Sequence, residues 1–278
     1  MISGKARLAG IIGWPVGHSK SPRLHNHWLQ TMGIDGAYVP LPIAPADLAS
    51  AIALLPRLGF AGANVTVPHK ESLLELVDSL DPLAAHIGAV NTLVFTKDGR
   101  IEGRNTDAAG FILNLQEHPS GFRPRSGAAV ILGAGGAARS ACAALLAEGV
   151  PQIRLVNRSL DRARQLAADL GGPIVPVEWG AREEALEGAA LLVNSTSLGM
   201  TGQPPLGISL DRLPETALVN DLVYAPLETE LLAAARARGN PVADGLGMLL
   251  HQARPGFAAW FGVMPALTPD IREMMLAP

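Results

Sequence analysis

Short apolar runs alternate with stretches of helical period along most of this chain. That alternation predicts an α/β architecture built mainly on parallel strands. In the first third, residues 8–12, 37–42, 62–65 and 90–95 read as strands. Helices are expected to start at Pro22, Pro45 and Pro68, with Ser21 as the cap ahead of Pro22. Lys97-Asp98-Gly99-Arg100 reads as a hairpin turn between Val94 and Ile101. Further strands are expected at 128–132, 153–157, 174–177, 191–194, 218–221 and 241–243, with helices between several of them. Residues 116–126, rich in Pro, Gly and Arg, read as a surface loop. A helical pattern resumes over 248–261, after the second sheet has ended, and is expected to return to the first domain.

One of these strands carries chemistry. Val130-Ile131-Leu132 runs into Gly133-Ala134-Gly135-Gly136-Ala137-Ala138 and then a small-residue helix, the strand, tight turn and helix of a Rossmann dinucleotide-binding unit. Gly133 permits the turn, Gly135 lets a pyrophosphate approach the backbone, and Ala138 lets the helix pack close to the sheet. The unpaired first-turn N–H groups face the phosphates. The next strand ends in Asn157-Arg158-Ser159, with Arg162 one helical turn on. An acidic residue there would favour a ribose 2′-hydroxyl, whereas an arginine pairs with a 2′-phosphate. A charge-assisted hydrogen bond is worth roughly 1.5–3 kcal/mol, so the expected cofactor is NADP(H), preferred ~10- to 100-fold over NAD. The fold expected is therefore two-domain α/β: a mainly parallel substrate domain over 1–106 and 245–278, and a Rossmann domain over 107–244. The C-terminal helix returns to the first domain, and a cleft lies between the two.

With 278 residues, 48% of them hydrophobic, the chain has ample core for two domains. A net charge of −3 gives no electrostatic footprint for nucleic acid or an anionic membrane. No stretch nears the ~20 apolar residues of a membrane span. Expectation therefore settles on a cytoplasmic enzyme of small molecules, as monomer or homodimer. Cys142, the single cysteine, lies among alanines and reads as packing. The histidines show no metal-ligand spacing, so no metal is expected.

Polar residues cluster in the first domain where a scaffold does not need them. Ser19 and Ser21 sit two apart at a helix start, an address for a carboxylate. Asn64, Thr66 and Lys70 gather at the end of a parallel strand, where open α/β sheets place ligands. Asn91 precedes another strand, and Asp107 brings a carboxylate to the domain junction. Lysine is scarce, four against eighteen arginines, which raises the weight of Lys70 beside polar neighbours.

The motifs His18-Ser19-Lys20-Ser21-Pro22, Asn64-Val65-Thr66-Val67-Pro68-His69-Lys70, Gly88-Ala89-Val90-Asn91-Thr92, Asn105-Thr106-Asp107, Asn194-Ser195-Thr196-Ser197-Leu198-Gly199-Met200 and Asp244-Gly245-Leu246-Gly247-Met248-Leu249 occur in this order. Together with the glycine turn they resemble the shikimate dehydrogenases over essentially the whole chain. The resemblance implies reversible NADPH-dependent reduction of 3-dehydroshikimate to shikimate, on the route to chorismate and aromatic amino acids. It implies that Lys70 and Asp107 are the catalytic pair and that Ser19 and Ser21 hold the substrate carboxylate. Asn64, Thr66, Asn91 and Gln252 would bind ring hydroxyls, and Tyr224 would close the site. Gly133, Ala134, Gly135, Gly136, Ala137, Asn157, Arg158, Arg162, Thr196, Gly245 and Met248 would contact the cofactor. One departure is Arg254-Pro255-Gly256, where the proline is expected to bend the helix just after Gln252.

Other readings stay open. A quinate/shikimate or aminoshikimate dehydrogenase would keep the same machinery with a broader pocket at Ser19 and Ser21. A non-catalytic NADP-binding sensor would have lost Lys70 or Asp107, and both are present. A folate-linked two-domain dehydrogenase would lack the paired serines.

Overall fold

In the computed structural model, which describes residues 2–118 and 122–277, the chain divides into two units: Met1–Thr106 with Leu250–Pro278, and Asp107–Leu249. Strand β1 (Arg7–Gly13) of the first unit is buried without a break from Ala9 onward, as a central strand covered on both faces must be. Strands β2 (Gly36–Pro42) and β3 (Phe60–Val65) flank it in parallel. Beyond β3 come β4 (Ser79–Leu80), β5 (Thr92–Phe95) and β6 (Ile101–Arg104), giving the order β2-β1-β3-β5-β6-β4. β5 runs antiparallel to both β3 and β6. The turn between β5 and β6 closes with Thr96 N–H donating to the Arg100 carbonyl at 2.9 Å, as Lys97-Asp98-Gly99-Arg100 predicts. Helices α1 (Ser21–Thr31), α2 (Leu48–Leu54) and α3 (Pro82–Ile87) complete this part. Ile12, Leu48, Ile52, Val65, Leu73, Val90 and Leu93 form its aliphatic core.

The second unit opens with α4 (Asp107–Gln116) and a fully parallel sheet. The strands are β7 (Ala128–Leu132), β8 (Ile153–Asn157), β9 (Ile174–Glu178), β10 (Ala189–Asn194), β11 (Leu218–Asp221) and β12 (Val242–Ala243). Their order, β12-β11-β10-β7-β8-β9, reverses direction between β7 and β10, the doubly wound arrangement. Helices α5 (Gly136–Ala147), α6 (Leu160–Leu170) and α7 (Glu230–Ala237) connect them. Cys142 is buried in α5, and burial pushes its thiol up to about 12, which leaves it a packing residue.

Helix α8 (Gly245–Phe261) belongs to both units: its first turn, through Leu249, counts with the second and the remainder with the first. In the first unit it lays Phe257 and Trp260 against His25, Trp28 and Tyr38, and Phe261 packs on Phe257 and Trp260. Trp260 donates its indole N–H to the Leu93 carbonyl at 2.9 Å, directly over Gly62. A Cβ at Gly62 would lie 2.0 Å from that indole nitrogen, so only glycine fits there. A last helix, α9 (Pro269–Leu276), buries Ile271 and Met275 and accepts from Lys20 Nζ at the Met275 carbonyl, 3.0 Å. No helix among the described residues is long and apolar enough to cross a membrane.

Several expectations need correction. No α-helix starts at Pro68; a turn at Val67-Pro68 leads to a short 3-10 segment, Ser72–Glu75. The Lys70 carbonyl accepts from Val90 N–H at 2.8 Å instead of from the next helical turn. Ser21 is the first residue of α1 and not its cap; Lys20 holds the cap position with no side-chain hydrogen bond. The sequence reading gave no element for residues 269–276, which form α9. Of the expected loop 116–126, residues 119–121 lie outside the described residues; Gln116 closes α4 and Pro124–Ser126 form a 3-10 turn.

His25 is wholly buried, stacks on Tyr38 at 4.0 Å and 5°, and neither ring nitrogen has a hydrogen-bond partner among the described residues. Burial lowers its pKa from 6.5 to about 3. Between those values the unfolded chain binds a proton that the folded chain refuses, so stability falls as pH drops through this window. His25→Phe is expected to reduce the stability lost between pH 7 and pH 5 by about 2 kcal/mol, read by urea denaturation at both pH values. An unchanged loss would show that His25 does not drive the acid limb.

Candidate functional site

The first unit gathers Asn64, Asn91 and Gln252 into one buried amide network. Asn64 lies in the buried run of β3, Asn91 precedes β5, and Gln252 lies on α8. Backbone groups fix which way the amides face. Thr106 N–H, which can only donate, points at Asn91 Oδ1 from 2.8 Å. The Asn91 carbonyl, which can only accept, stands 3.3 Å from Asn64 Nδ2. The amide orientations therefore follow from chemistry and are not free to flip. With them set, the remaining bonds run in one direction. Tyr38 Oη donates to Asn64 Oδ1 at 2.7 Å, and Asn64 Nδ2 donates to Thr92 Oγ1 at 3.2 Å. Thr92 Oγ1 donates to Asn91 Oδ1 at 3.1 Å, and Asn91 Nδ2 donates to Gln252 Oε1 at 3.2 Å. Thr106 Oγ1 accepts a further Asn91 proton at 2.9 Å.

The other polar residues expected at the site lie on the turn that follows β3 and at the start of α1. Thr66 leaves β3 half-buried, with its N–H on the Ile12 carbonyl at 2.9 Å, and a Cβ at Gly13 would meet its methyl. Lys70 follows in the turn that β3 enters, its backbone tied to Val90. Ser19 Oγ accepts from Ser21 N–H at 3.3 Å, so the two serines share the entry to α1; Ser21 is buried and Ser19 half-buried.

In the second unit, the strand ends at the reversal of sheet order carry the expected nucleotide residues. Gly133 has a φ of +105°, and a Cβ there would lie 2.9 Å from Ser195 Oγ, so both backbone and space require glycine. Ser195 in turn donates to the Leu132 carbonyl at 2.6 Å. Ala134 is buried beneath the turn. No side chain caps α5, and a Cβ at Gly135 would meet nothing within 4 Å. Open space therefore fronts the uncapped N–H groups of Gly136 and Ala137, a cradle that fits a pyrophosphate. Asn157 ends β8 with its amide on the Ser159 carbonyl at 2.8 Å, and Ser159 caps α6. Arg158 and Arg162 are exposed at that corner, and no carboxylate ends the strand. The cradle and the arginines suit a nucleotide with a 2′-phosphate.

A second network, which the sequence reading missed, fixes the neighbouring loops. Asp221 is buried at the end of β11 and accepts from Thr229 Oγ1 at 2.7 Å, Val223 N–H at 3.0 Å and Asn194 Nδ2 at 2.9 Å. Burial pushes its carboxyl up to about 6, against the downward pull of these three donors. Asn194 Oδ1 accepts from both N–H and Oγ1 of Thr196, which shapes the loop after β10. Tyr224 follows Val223, half-buried. Gly245 begins α8 so close to the Leu222 carbonyl that a Cβ would sit 2.4 Å from it, and Met248 is buried one turn on. Asp107 is the first residue of α4 and is buried, an address at which the helix dipole favours a carboxylate.

Residues 11–93 match the family described as Shikimate dehydrogenase substrate binding domain, and residues 121–200 match Shikimate / quinate 5-dehydrogenase. A shikimate dehydrogenase (NADP(+)) of Paramagnetospirillum magneticum is 63% identical over 276 residues, covering 99% of this chain and 100% of that protein. The chain belongs to the shikimate dehydrogenase family. Shikimate dehydrogenase of Thermus thermophilus, solved with NADP(H) and shikimate, superposes with a TM-score of 0.85 at 36% identity, covering 97% of this chain and 98% of that one. A quinate dehydrogenase of Corynebacterium glutamicum, solved with NAD, gives a TM-score of 0.86 at 31% identity, covering 97% of each chain.

Gly135→Ala separates the cradle from the scaffold. Without ligand it is expected to stay within about 1 kcal/mol of the parent stability, because its Cβ has room. NADP⁺ titrated against protein fluorescence is expected to bind more weakly. Unchanged affinity would place the phosphates elsewhere.

Proposed function

We propose that this member of the family catalyses the reversible NADPH-dependent reduction of 3-dehydroshikimate to shikimate, a step towards chorismate and the aromatic amino acids. The observation that carries the reading is the 63% identity to an NADP(+)-dependent shikimate dehydrogenase over 99% of the chain. Residues 1–106 and 245–278 form the substrate domain and residues 107–244 the cofactor domain, with the first turn of α8 also turned to the cofactor. When bound, the nicotinamide supplies the hydride in one direction and removes it in the other.

The chain supplies the rest. Reduction of the ketone leaves negative charge on its oxygen, and Lys70 meets that charge as an ammonium and donates the proton. Asp107 orients the lysine and shares its proton. In the oxidative direction the pair accepts the hydroxyl proton as one coupled unit. Ser19 and Ser21 bind the carboxylate with their hydroxyls beside the start of α1. Asn64, Thr66, Asn91 and Gln252 bind the ring hydroxyls, a role supported by the buried network that orients three of them. Tyr224 closes the site over the substrate.

Gly133, Ala134, Gly135, Gly136 and Ala137 hold the pyrophosphate, and Thr196, Gly245 and Met248 line the nicotinamide. Asn157, Arg158 and Arg162 hold the adenosine 2′-phosphate. The lack of a carboxylate at the end of β8 supports NADP over NAD. Quinate carries one more hydroxyl, at the carboxylate-bearing carbon, so the surroundings of Ser19 and Ser21 select against it.

Initial rates of NADP⁺ and NAD⁺ reduction, each with shikimate and with quinate, test the reading directly. Activity is expected with shikimate and NADP⁺; comparable rates with quinate or NAD⁺ would move the chain to a broader dehydrogenase. Lys70→Ala is expected to cut kcat by roughly 10²–10⁴-fold with the circular dichroism spectrum intact. A near-parental rate would remove Lys70 from the chemistry. Arg158→Ala is expected to raise KM for NADP⁺ by ~10-fold or more and spare NAD⁺; equal loss for both would make the arginine structural.

A further inference from the structure

Tyr38 lies outside every motif that the family resemblance covers, yet its hydroxyl begins the amide network. It sits on β2, a buried residue of an otherwise half-exposed strand. Its ring lies flat against His25 and also touches Trp260, at centroid distances of 4.0 and 5.9 Å. His25 carries no charge at neutral pH, so the contact is one aromatic plate on another. The ring is thereby held at one height and angle, and Oη meets Asn64 Oδ1 at 2.7 Å.

The state of Asn64 follows from its bonds. Both protons of Nδ2 are committed, one to the Asn91 carbonyl and one to Thr92 Oγ1. Oδ1 has two lone pairs and takes one proton, from Tyr38. What Asn64 can offer a ligand is therefore the second lone pair of Oδ1, an acceptor for a hydroxyl proton. Without Tyr38, Oδ1 would lose its one anchor, and the amide would be free to swing about the contacts of Nδ2 alone.

We propose that Tyr38 is a positioning residue of the substrate site: its hydroxyl, braced by the His25 ring, fixes Asn64 as a hydrogen-bond acceptor for a substrate hydroxyl. The inference rests on the proposed role of Asn64 in binding the ring hydroxyls. Because Tyr38 acts through Asn64, its effect on substrate must vanish when Asn64 is absent. A residue that merely supports the sheet has no such dependence.

A double-mutant cycle measures this with shikimate and NADP⁺, on Tyr38→Phe, Asn64→Ala and the pair. Tyr38→Phe alone is expected to raise KM for shikimate roughly 3- to 10-fold, the worth of one neutral hydrogen bond, with KM for NADP⁺ unchanged. In the Asn64→Ala background the same substitution is expected to change KM by less than about 2-fold. A parental KM in Asn64→Ala would overturn the role of Asn64, and the inference with it. An impaired Asn64→Ala with an equal Tyr38→Phe factor in both backgrounds, or none in either, would overturn the inference alone. Melting temperatures taken alongside detect a loss of fold. If Tyr38→Phe does not fold, His25→Leu, which removes the ring that braces Tyr38, enters the same cycle with the same expected and overturning results.

Discussion

Two backbone groups, the Thr106 N–H and the Asn91 carbonyl, decide the character of the first unit. Neither can reverse its role, so each dictates the face that a buried side-chain amide turns towards it. From those two constraints follows the sense of every other bond from Tyr38 to Gln252. A buried amide with an unsatisfied group costs about 1–3 kcal/mol, so a partly flipped network has little population. The elements that meet here come from distant parts of the chain: β2, β3, the approach to β5, the end of β6 and helix α8. The network is therefore a fastening of the fold.

The nucleotide half was the more legible part of the sequence. Strands β7, β8 and β11 coincide with the apolar runs read from the chain, and glycine at β7 and asparagine at β8 mark the ends locally. The glycine turn was legible for the same reason: the left-handed backbone at Gly133 follows directly on the end of β7. The first unit was less legible wherever a distant partner rules. After Pro68 a helix was expected, but Val90, twenty residues on, claims the Lys70 carbonyl. Helix α9 has only two buried apolar residues, too few to set a period. Tyr38 could have been suspected as one of two tyrosines, set in a strand, since a buried phenol requires an acceptor. Which acceptor it meets was not readable, because Asn64 lies on another strand.

Asp221 and Asn194 play in the second unit the part that Thr106 and Asn91 play in the first. Here the constraint is a carboxylate surrounded by donors from three segments. Its burial raises the cost of the charged form, and its three hydrogen bonds offset much of that cost. The same carboxylate holds the backbone just ahead of Tyr224 directly and the loop carrying Thr196 through Asn194, so the shape of both depends on one buried group.

The glycine beneath Trp260 has a bearing on how the protein is made. The indole and the carbonyl it seeks are separated by 167 residues, so a nascent chain exposes the first sheet long before its covering helix leaves the ribosome. The Rossmann unit, continuous from Asp107 to Leu249, has all its strands by then. During translation the aromatic side of the first sheet, with His25, Trp28 and Tyr38, is an uncovered apolar surface awaiting residues 250–277. Chains stalled before that point carry a finished nucleotide domain and a sticky, unfinished partner, a natural substrate for chaperones and proteases.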